Sequence, residues 1–150
     1  MSMPNVSKSE LEALVRQIIA SQLCTEKVIT ADGLVTLKVP DMTVSESDRM
    51  DTGNPNDIVY TKDLVSLNES PRLGCGLMVM KETTFDWTLN YDEVDYVIEG
   101  SLSVIGKNGT ATANAGEIIL IPKGSKIKFS VESEARFIYV TYPADWQSQK

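Results

Sequence analysis

The stretch that decides the fold spans residues 87–129, and its first part reads Trp-Thr-Leu-Asn-Tyr-Asp-Glu-Val-Asp-Tyr-Val-Ile-Glu-Gly from Trp87 to Gly100. Between Glu93 and Ile98 the β-forming residues Val, Tyr and Ile occupy every second position, and this period of two predicts a strand. We expect Gly100 to end that strand, and residues 101–105 to form the return strand of a hairpin.

The second part of the stretch reads Ala-Gly-Glu-Ile-Ile-Leu-Ile-Pro-Lys-Gly-Ser-Lys-Ile-Lys-Phe over residues 115–129. Its apolar run, residues 118–121, predicts a strand that is buried on both faces. Pro122 and Gly124 then turn the chain into a further strand. Between the two parts, residues 107–110 carry the Asn-Gly pair that is typical of a tight turn.

These two segments resemble the two sequence motifs of the cupin family of small β-barrels. The first motif places a Glu seven residues before a Gly, as Glu93 and Gly100 are placed. The second motif spaces two glycines around a proline, as Gly116, Pro122 and Gly124 are spaced. The resemblance implies a barrel or two-sheet jelly roll with Glu93 facing its interior.

Most cupins also carry metal-binding histidines within these motifs, but this chain contains no His at all. By motif spacing, the resemblance would place those histidines at Asp86 and Thr88 (or Trp87 and Leu89) and at Ile127. A His-based metal site therefore cannot form, and a Ser or Cys nucleophile activated by His is excluded. Since only oxygen ligands remain at the expected pocket, we predict no tightly bound transition metal.

Composition and charge exclude several further classes of function. The chain has 150 residues and a net charge of -7, which predicts one soluble domain and argues against a nucleic-acid or anionic-membrane surface. No run of residues is long and apolar enough to span a bilayer, and no secretory signal is seen. Cys24 and Cys75 are too few for a disulfide scaffold, so we expect reduced, buried thiols in a cytosolic protein.

The N-terminal segment, residues 1–27, is predicted to be helical and is set apart from a cupin domain at residues 28–150. Residues 7–10 read Ser-Lys-Ser-Glu, a capping box, and apolar residues at helical spacing then predict an amphipathic helix over residues 8–23. The apolar face either packs on the barrel or a second subunit, or docks in a groove of another protein. In the second case the helix resembles the targeting tails of microcompartment cargo.

The rest of the chain is predicted to be mostly β. Short strands are expected at residues 34–39, 58–67, 74–80 and 135–142, among about nine strands in a single cupin-type barrel or jelly roll that follows the N-terminal amphipathic helix. Cupins commonly pair through their sheets, and exposed sheet edges also invite pairing. We therefore expect a homodimer.

Two acidic residues on the predicted interior face form the candidate site. Glu93 and Asp95 share the parity of one strand, so both should point inward, and Tyr91 shares that parity at the mouth. Buried acids are costly unless they are paired, hydrogen-bonded or bound to a cation, and Mg²⁺ accepts one or two carboxylates with substrate phosphate. The alternative is a solvated sheet face near the barrel mouth. Lys126 and Lys128 have the opposite parity and should point outward.

Four short segments, together with the stretch 85–100, narrow the resemblance to the EutQ family of ethanolamine-utilisation proteins. It covers roughly residues 35–147, and its run Trp-Thr-Leu-Asn-Tyr-Asp-Glu is quite specific; the other segments are residues 48–55, 59–64, 70–72 and 142–146. The family implies a bacterial protein associated with the ethanolamine microcompartment.

The same resemblance implies acetate kinase-type activity, in which ATP and acetate give acetyl phosphate and ADP, reversibly. On that hypothesis Glu93 and Asp95 are the catalytic residues and hold Mg²⁺ with ATP, while Tyr91 binds acetate. The alternative hypothesis is a non-catalytic cupin scaffold that binds microcompartment shell proteins or other pathway proteins.

Overall fold

The computed structural model describes residues 7–23 and 26–150, so the expectation for Cys24 lies outside the described residues. The chain separates into two compact units, Met1–Thr43 and Val44–Lys150. The predicted extent of the cupin domain, residues 28–150, stays a prediction. Cys75 is a free, half-buried thiol in the second unit.

The first unit contains one helix and a two-stranded antiparallel sheet. Helix α1, Lys8–Leu23, has the predicted bounds, and strands β1, Lys27–Ile29, and β2, Val35–Leu37, pair with each other. The predicted capping box is confirmed, because the Ser7 amide donates to Glu10 Oε2 at 2.8 Å. About half the surface of several apolar helix side chains is exposed: Leu11, Leu14, Val15 and Ile18. Whether this face packs on the barrel or a second subunit, or docks in another protein, stays a prediction.

The second unit is a six-stranded antiparallel sheet, which confirms the mostly-β prediction. Its strands are β3, Ile58–Asp63; β4, Gly74–Thr88; β5, Asp92–Ile105; β6, Thr110–Asn114; β7, Ile118–Ile121; and β8, Lys126–Tyr142. They pair in the order β3-β4-β8-β5-β6, with β7 on β5, and this ladder is not closed into a barrel among the described residues.

The strands are fewer and longer than predicted, because bulges carry them past the expected ends. The prediction that Gly100 ends a strand is wrong: β5 runs through it, and residues 101–105 continue the same strand. Two register shifts flank Gly100, so that the first half of β5 pairs with β7 and the second half with β6. The hairpin turn lies instead at residues 106–109, where the Gly106 amide donates to the Gly109 carbonyl.

Gly100 is required at the bend in β5. Its φ is 79°, in the left-handed region, and a Cβ atom there would overlap the carbonyl oxygen of Glu134 on β8. A similar irregularity bends β4 between Lys81 and Thr83, where Glu82 has a φ of 43°. These bends allow β8 to pair with β4 and β5 along most of its length.

The prediction that residues 118–121 are buried on both faces is wrong. Ile119 and Ile121 are buried, whereas Ile118 and Leu120 are 62% and 67% exposed. A continuous apolar run predicts burial on both faces, but only one face of β7 packs on the core, and its other face lies on the outside of the sheet.

The hydrophobic core lies between the facing halves of the bent sheet. Phe137, Leu102 and Val97 have no exposed surface. Further core side chains come from every strand of the second unit, and they include Val59, Met80, Phe85, Leu89, Ala113, Ile119 and Phe129. The predicted outward direction of the β8 lysines is confirmed, since Lys126 and Lys128 are exposed and Lys128 Nζ lies 2.6 Å from Asp86 Oδ1.

Candidate functional site

A small cavity lies inside the second unit, at the end of the sheet where β5 begins. The volume that the centre of a water molecule can occupy in this cavity is about 20 Å³, which is enough for roughly one water molecule. One carboxyl group, that of Glu93, lines the cavity, and none of the described lining residues is basic. The other lining side chains are aromatic, thioether or hydroxyl groups, from Met50, Thr61, Met78, Trp87, Tyr91, Phe129, Tyr139 and Trp146.

Strand parity directs the acidic side chains inward, as predicted. Glu93 is 5% exposed and Asp95 is fully buried, while Val94 and Tyr96 point to the other face. Across the β5–β8 ladder, Glu93 is paired with Thr141 and Asp95 with Tyr139. The alternative of a solvated sheet face does not describe these two residues, since both are buried.

Burial sets the protonation of the acid pair. Loss of solvation raises the pKa of Glu93 to about 7, against a contact with Asp95 that lowers it. Loss of solvation, followed by the charge and the contact of Glu93, raises the pKa of Asp95 well above its usual range. The two carboxyls therefore titrate together and favour a state in which one proton lies between them.

Three buried oxygen atoms near the cavity lack a partner within the described chain. They are both carboxyl oxygens of Asp95 and the hydroxyl oxygen of Thr141. Two ionised carboxylates have no proton to donate to each other, so the contact with Glu93 becomes a hydrogen bond only when one of them is protonated. Since buried polar groups are nearly always hydrogen-bonded, protonation of one carboxyl or contact with a bound ligand would satisfy these atoms.

Aromatic side chains form the mouth of the cavity. Trp87 Nε1 donates a 2.8 Å hydrogen bond to the hydroxyl of Tyr91. Trp146, on the short 3₁₀ helix Trp146–Ser148, packs against Trp87, Tyr91 and Tyr139 with ring centroids 6.2, 5.7 and 6.1 Å away. Burial raises the pKa of the Tyr91 hydroxyl, and the charge of Glu93 raises it further, so this hydroxyl stays protonated.

Tyr139 reaches the cavity because the neighbouring residue on β4 is a glycine. A Cβ atom on Gly76 would overlap the Tyr139 ring. The Tyr139 hydroxyl donates a 2.8 Å hydrogen bond to Asp63 Oδ1, at the end of β3. The ring is thus fixed at one wall of the cavity.

A wider groove of about 560 Å³ opens outside the mouth. It shares Met50, Thr61, Trp87, Tyr91 and Trp146 with the cavity, and so leads directly to it. Arg49, Asp51 and Asp86 add charged groups to its walls. A volume of this order accommodates a small cofactor, which the inner cavity does not.

Arg49 is held in place by its own loop. Its guanidinium donates a 2.7 Å hydrogen bond to the carbonyl oxygen of Asp57 and lies 5.5 Å from the ring centre of Tyr60. The other terminal nitrogen of the guanidinium, Nη1, lies 3.7 Å from Glu46 Oε2. A neighbouring depression, which shares the groove residues 86–88, carries Lys107, Lys126 and Lys128.

Sequence reasoning predicted the inward direction of Glu93, Asp95 and Tyr91, of which Glu93 and Tyr91 line the cavity, but it missed most of the cavity wall. Met50 and Thr61 come from a loop and a strand far from the motif, and nothing in their own sequence indicates the cavity. Tyr139 could have been found, since it pairs with Gly76 in a strand where glycine indicates close approach. Of the positions that carry histidine in most cupins, Trp87 lines the cavity, whereas Asp86 and Thr88 are exposed.

The donor set fits a hard cation in type but not in number. Carboxylate and hydroxyl oxygens suit Mg²⁺, and the unpartnered oxygens of Asp95 and Thr141 lie beside Glu93. The described residues contain no group of three or more His, Cys, Asp or Glu side chains that could hold a metal ion. An Mg²⁺ ion here would therefore take most of its ligands from water or from a bound phosphate.

The fold is that of a cupin. The structure superimposes on the cupin domain of a Schizosaccharomyces pombe protein with a TM-score of 0.56, covering 78% of this chain and 84% of that one. The identity is 11%, so this likeness concerns the fold alone. The inward Glu93 and the bend at Gly100, both in the first motif, agree with this fold.

Within the cupins, the chain belongs to the family described as ethanolamine utilisation protein EutQ, whose model matches residues 6–148. It is 60% identical over 156 residues to a Clostridioides difficile (strain 630) protein named acetate kinase EutQ, covering 99% of both chains. The solved structure of the Clostridium difficile EutQ protein matches with a TM-score of 0.81 and 64% identity, over 83% of this chain and 90% of that one.

Two enterobacterial relatives extend the comparison. An Escherichia coli (strain K12) protein, also named acetate kinase EutQ, is 40% identical over 81% of this chain, which spans 51% of that relative's length. The crystal structure of a Salmonella typhimurium LT2 ethanolamine utilization protein matches with a TM-score of 0.72 and 35% identity, over 79% of this chain and 94% of that one. No described helix is long and apolar enough to cross a membrane.

Proposed function

We propose that this ethanolamine-utilisation cupin is an acetate kinase-type phosphotransferase, which converts ATP and acetate to acetyl phosphate and ADP, reversibly. The observation that carries the proposal is the 60% identity, over 99% of both chains, with a protein named acetate kinase EutQ. Phosphoryl transfer needs positioning and charge neutralisation rather than a covalent nucleophile, so the absence of His does not count against it.

The groove and the cavity divide the task between them. Nucleotide fits in the groove of about 560 Å³, whereas the inner cavity of about 20 Å³ has room for only one ion or water. Glu93, with Asp95 behind it, would hold Mg²⁺ at the mouth, and this ion supplies neutralising charge for the phosphates. Arg49 and the lysines at the groove's edge add positive charge along the path of the triphosphate.

Tyr91 is the substrate-binding residue of the proposal. Its hydroxyl lines both the cavity and the groove, and it accepts a hydrogen bond from Trp87 while keeping its own proton for donation. That proton is suited to a carboxylate oxygen of acetate. Trp146 covers the same place and excludes water from it.

Acetyl phosphate formation by rigorously purified protein tests the proposal. Wild type should form acetyl phosphate from ATP and acetate only with Mg²⁺, and Glu93→Gln should lower kcat at least tenfold. Glu132→Gln is a matched control, because Glu132 is an exposed carboxylate on β8 away from the cavity. Activity that persists in Glu93→Gln would identify either a contaminant or another site, and would overturn the assignment.

We place this activity in the bacterial cytoplasm, associated with the ethanolamine microcompartment, and in a homodimer. The family's role in ethanolamine utilisation supports the first placement, and the exposed apolar sheet face supports the second. Association with shell proteins would use the exposed apolar face of α1.

A non-catalytic scaffold is the second candidate function. It is favoured by the size of the cavity, which in this conformation admits neither acetate nor nucleotide to Glu93. On this hypothesis the cupin unit presents α1 to microcompartment shell or pathway proteins. Retention of microcompartment association by Glu93→Gln, with no activity in wild type, would favour the scaffold.

A further inference from the structure

The inner cavity combines one carboxylate with aromatic walls, a chemistry that suits a ligand other than a phosphate. One carboxylate, Glu93, lines the cavity together with four aromatic rings, those of Trp87, Tyr91, Tyr139 and Trp146. The centroid of the Trp146 ring lies between 5.7 and 6.2 Å from the centroids of the other three rings. No described lysine or arginine lines this cavity to neutralise the carboxylate. Such a combination of aromatic rings and an acid is the one that proteins use to hold organic cations.

Unpartnered polar atoms lie next to Glu93, behind the lining of the cavity. Asp95 is fully buried, and neither of its carboxyl oxygens has a partner within the described chain. The hydroxyl oxygen of Thr141, which is paired with Glu93 across the ladder, is also unpartnered. A primary ammonium group in the cavity would supply one positive charge and three donors, and the acceptor it meets there is the Glu93 carboxylate.

The cavity is large enough for an ammonium group and too small for a larger group. About 20 Å³ for water-sized centres accommodates one group the size of a water molecule, which describes an ammonium head group. The substituent on the nitrogen would lie in the groove, because the cavity shares Met50, Trp87, Tyr91 and Trp146 with it. An Mg²⁺ ion in the cavity would meet a single lining carboxylate, so it would depend on water or a bound phosphate for most of its ligands.

We propose that the cavity binds the ammonium group of a small primary amine, with Glu93 as its counter-ion and the aromatic rings as its walls. This proposal goes beyond phosphotransfer and holds whether or not the chain is a kinase. Because the amine would use the carboxylate that the kinase proposal assigns to Mg²⁺, the two cations would compete for Glu93. An amine of the pathway would then regulate the same site.

Tryptophan emission gives a direct measurement, since the chain has two Trp residues and both line the cavity. The full chain, freed of metal with a chelator and without nucleotide, is titrated with 2-hydroxyethylammonium chloride and with its neutral analogue of similar size, ethylene glycol. The ammonium salt should give a saturable change in emission and ethylene glycol none. This comparison uses wild-type protein alone, so it does not depend on any variant folding.

Two variants and two metal salts complete the test. Affinity for 2-hydroxyethylammonium should fall at least tenfold in Glu93→Gln and stay at the wild-type value in Glu132→Gln, with calorimetry as a second readout. Equal binding of ethylene glycol, or unchanged affinity in a folded Glu93→Gln, would overturn the proposal. So would saturation by K⁺ or Mg²⁺ that the amine does not displace, because the cavity would then be a metal site. None of these measurements uses acetyl phosphate, so they stay separate from the kinase assay.

Discussion

Glu93 and Asp95 lie two residues apart on β5, with their carboxyl groups on one face of the sheet and close enough to share a proton. Neither Asp95 oxygen has another partner among the described residues, although Asp95 is the more deeply buried of the two. The pair therefore has like-charge repulsion that no described base relieves, and this makes it sensitive to substitution, to pH and to added cations.

Replacing Asp95 with Asn should weaken Mg²⁺-dependent ligand binding while the protein keeps its fold. The amide removes one negative charge and can donate to the Glu93 carboxylate, so we expect an unchanged or higher melting temperature at pH 8. Thermal melts and calorimetric titrations of Asp95→Asn beside wild type measure both effects.

A structural role for Asp95 gives the opposite result. If Asp95 mainly accepted hydrogen bonds, Asn would lose about 1–3 kcal/mol of stability, as expected for an unsatisfied buried group. A clearly destabilised Asp95→Asn protein with unaltered ligand binding would therefore favour the scaffold function.

The free energy of unfolding should fall as pH rises from about 4.5 to about 7. The pKa of Glu93 is about 7 in the folded chain against an ordinary value of 4.5, so the native state keeps a proton that the unfolded state releases in this window. The loss should reach up to about 3 kcal/mol and then level off above the folded pKa. The ionisable groups around Glu93 are Asp95 on β5, Tyr91 immediately before β5, and Tyr139 on β8, whose hydroxyl is hydrogen-bonded to Asp63.

Urea unfolding at several pH values measures this dependence. Glu93→Gln should flatten the curve between pH 5 and 7, whereas Glu132→Gln should leave it unchanged. Since the raised pKa of Asp95 acts in the same direction, a stability that rises with pH in this window would contradict the assigned burial of the pair.

Trp146→Ala should destabilise the protein and open the cavity. Trp146 is 9% exposed and contacts three aromatic rings, so we expect a loss of about 3 kcal/mol, comparable with other buried Trp truncations. Denaturant unfolding measures the loss, and acrylamide quenching of Trp87 should increase. Gln147→Ala, at the exposed neighbouring position, is the control; equal effects from both would indicate that the terminal segment does not close the cavity.

The elements that sequence predicted well are those whose pattern is local. Helix α1 has a capping box and helical spacing, and the inward direction of Glu93 and Asp95 follows from strand parity alone. The bend at Gly100 was read as a strand end, because a glycine in a bulge and a glycine in a turn look the same in one sequence. The cavity walls at Met50 and Trp146 depend on contacts between distant segments, which no periodicity records.

Purified protein should contain no stoichiometric transition metal. The chain has no His, and oxygen atoms are the only ligands that Glu93, Asp95 and Thr141 offer. Elemental analysis of protein prepared without chelators measures this directly. Zn, Fe, Ni or Cu at one equivalent per chain would contradict the prediction and would require ligands from elsewhere in the chain.

The homodimer should form through the outer face of β7, β5 and β8. Leu120 is 67% exposed and lies beside Val94 in the ladder, and Tyr96 pairs with the exposed Ile118 in the next row. Leu120→Lys should therefore give monomers by light scattering, while Ser101→Lys, at an exposed position on the other half of β5, should leave the dimer intact. A wild-type monomer mass across a wide concentration range would reject the prediction.

Gly100 sets a limit on how this sequence can diverge. Its backbone lies so close to the carbonyl oxygen of Glu134 that even a methyl group has no room, and its φ of 79° disfavours every other L-amino acid. Gly33 has a similar φ of 86° but meets no atom within 4 Å of an added Cβ, so only the backbone restricts it, and Asn adopts this conformation more readily than other residues. In a saturation library selected for folded protein, only glycine codons should be recovered at position 100, whereas residues such as Asn should also be recovered at position 33. The first cupin motif thus records a steric contact between two strands as much as it records a binding site.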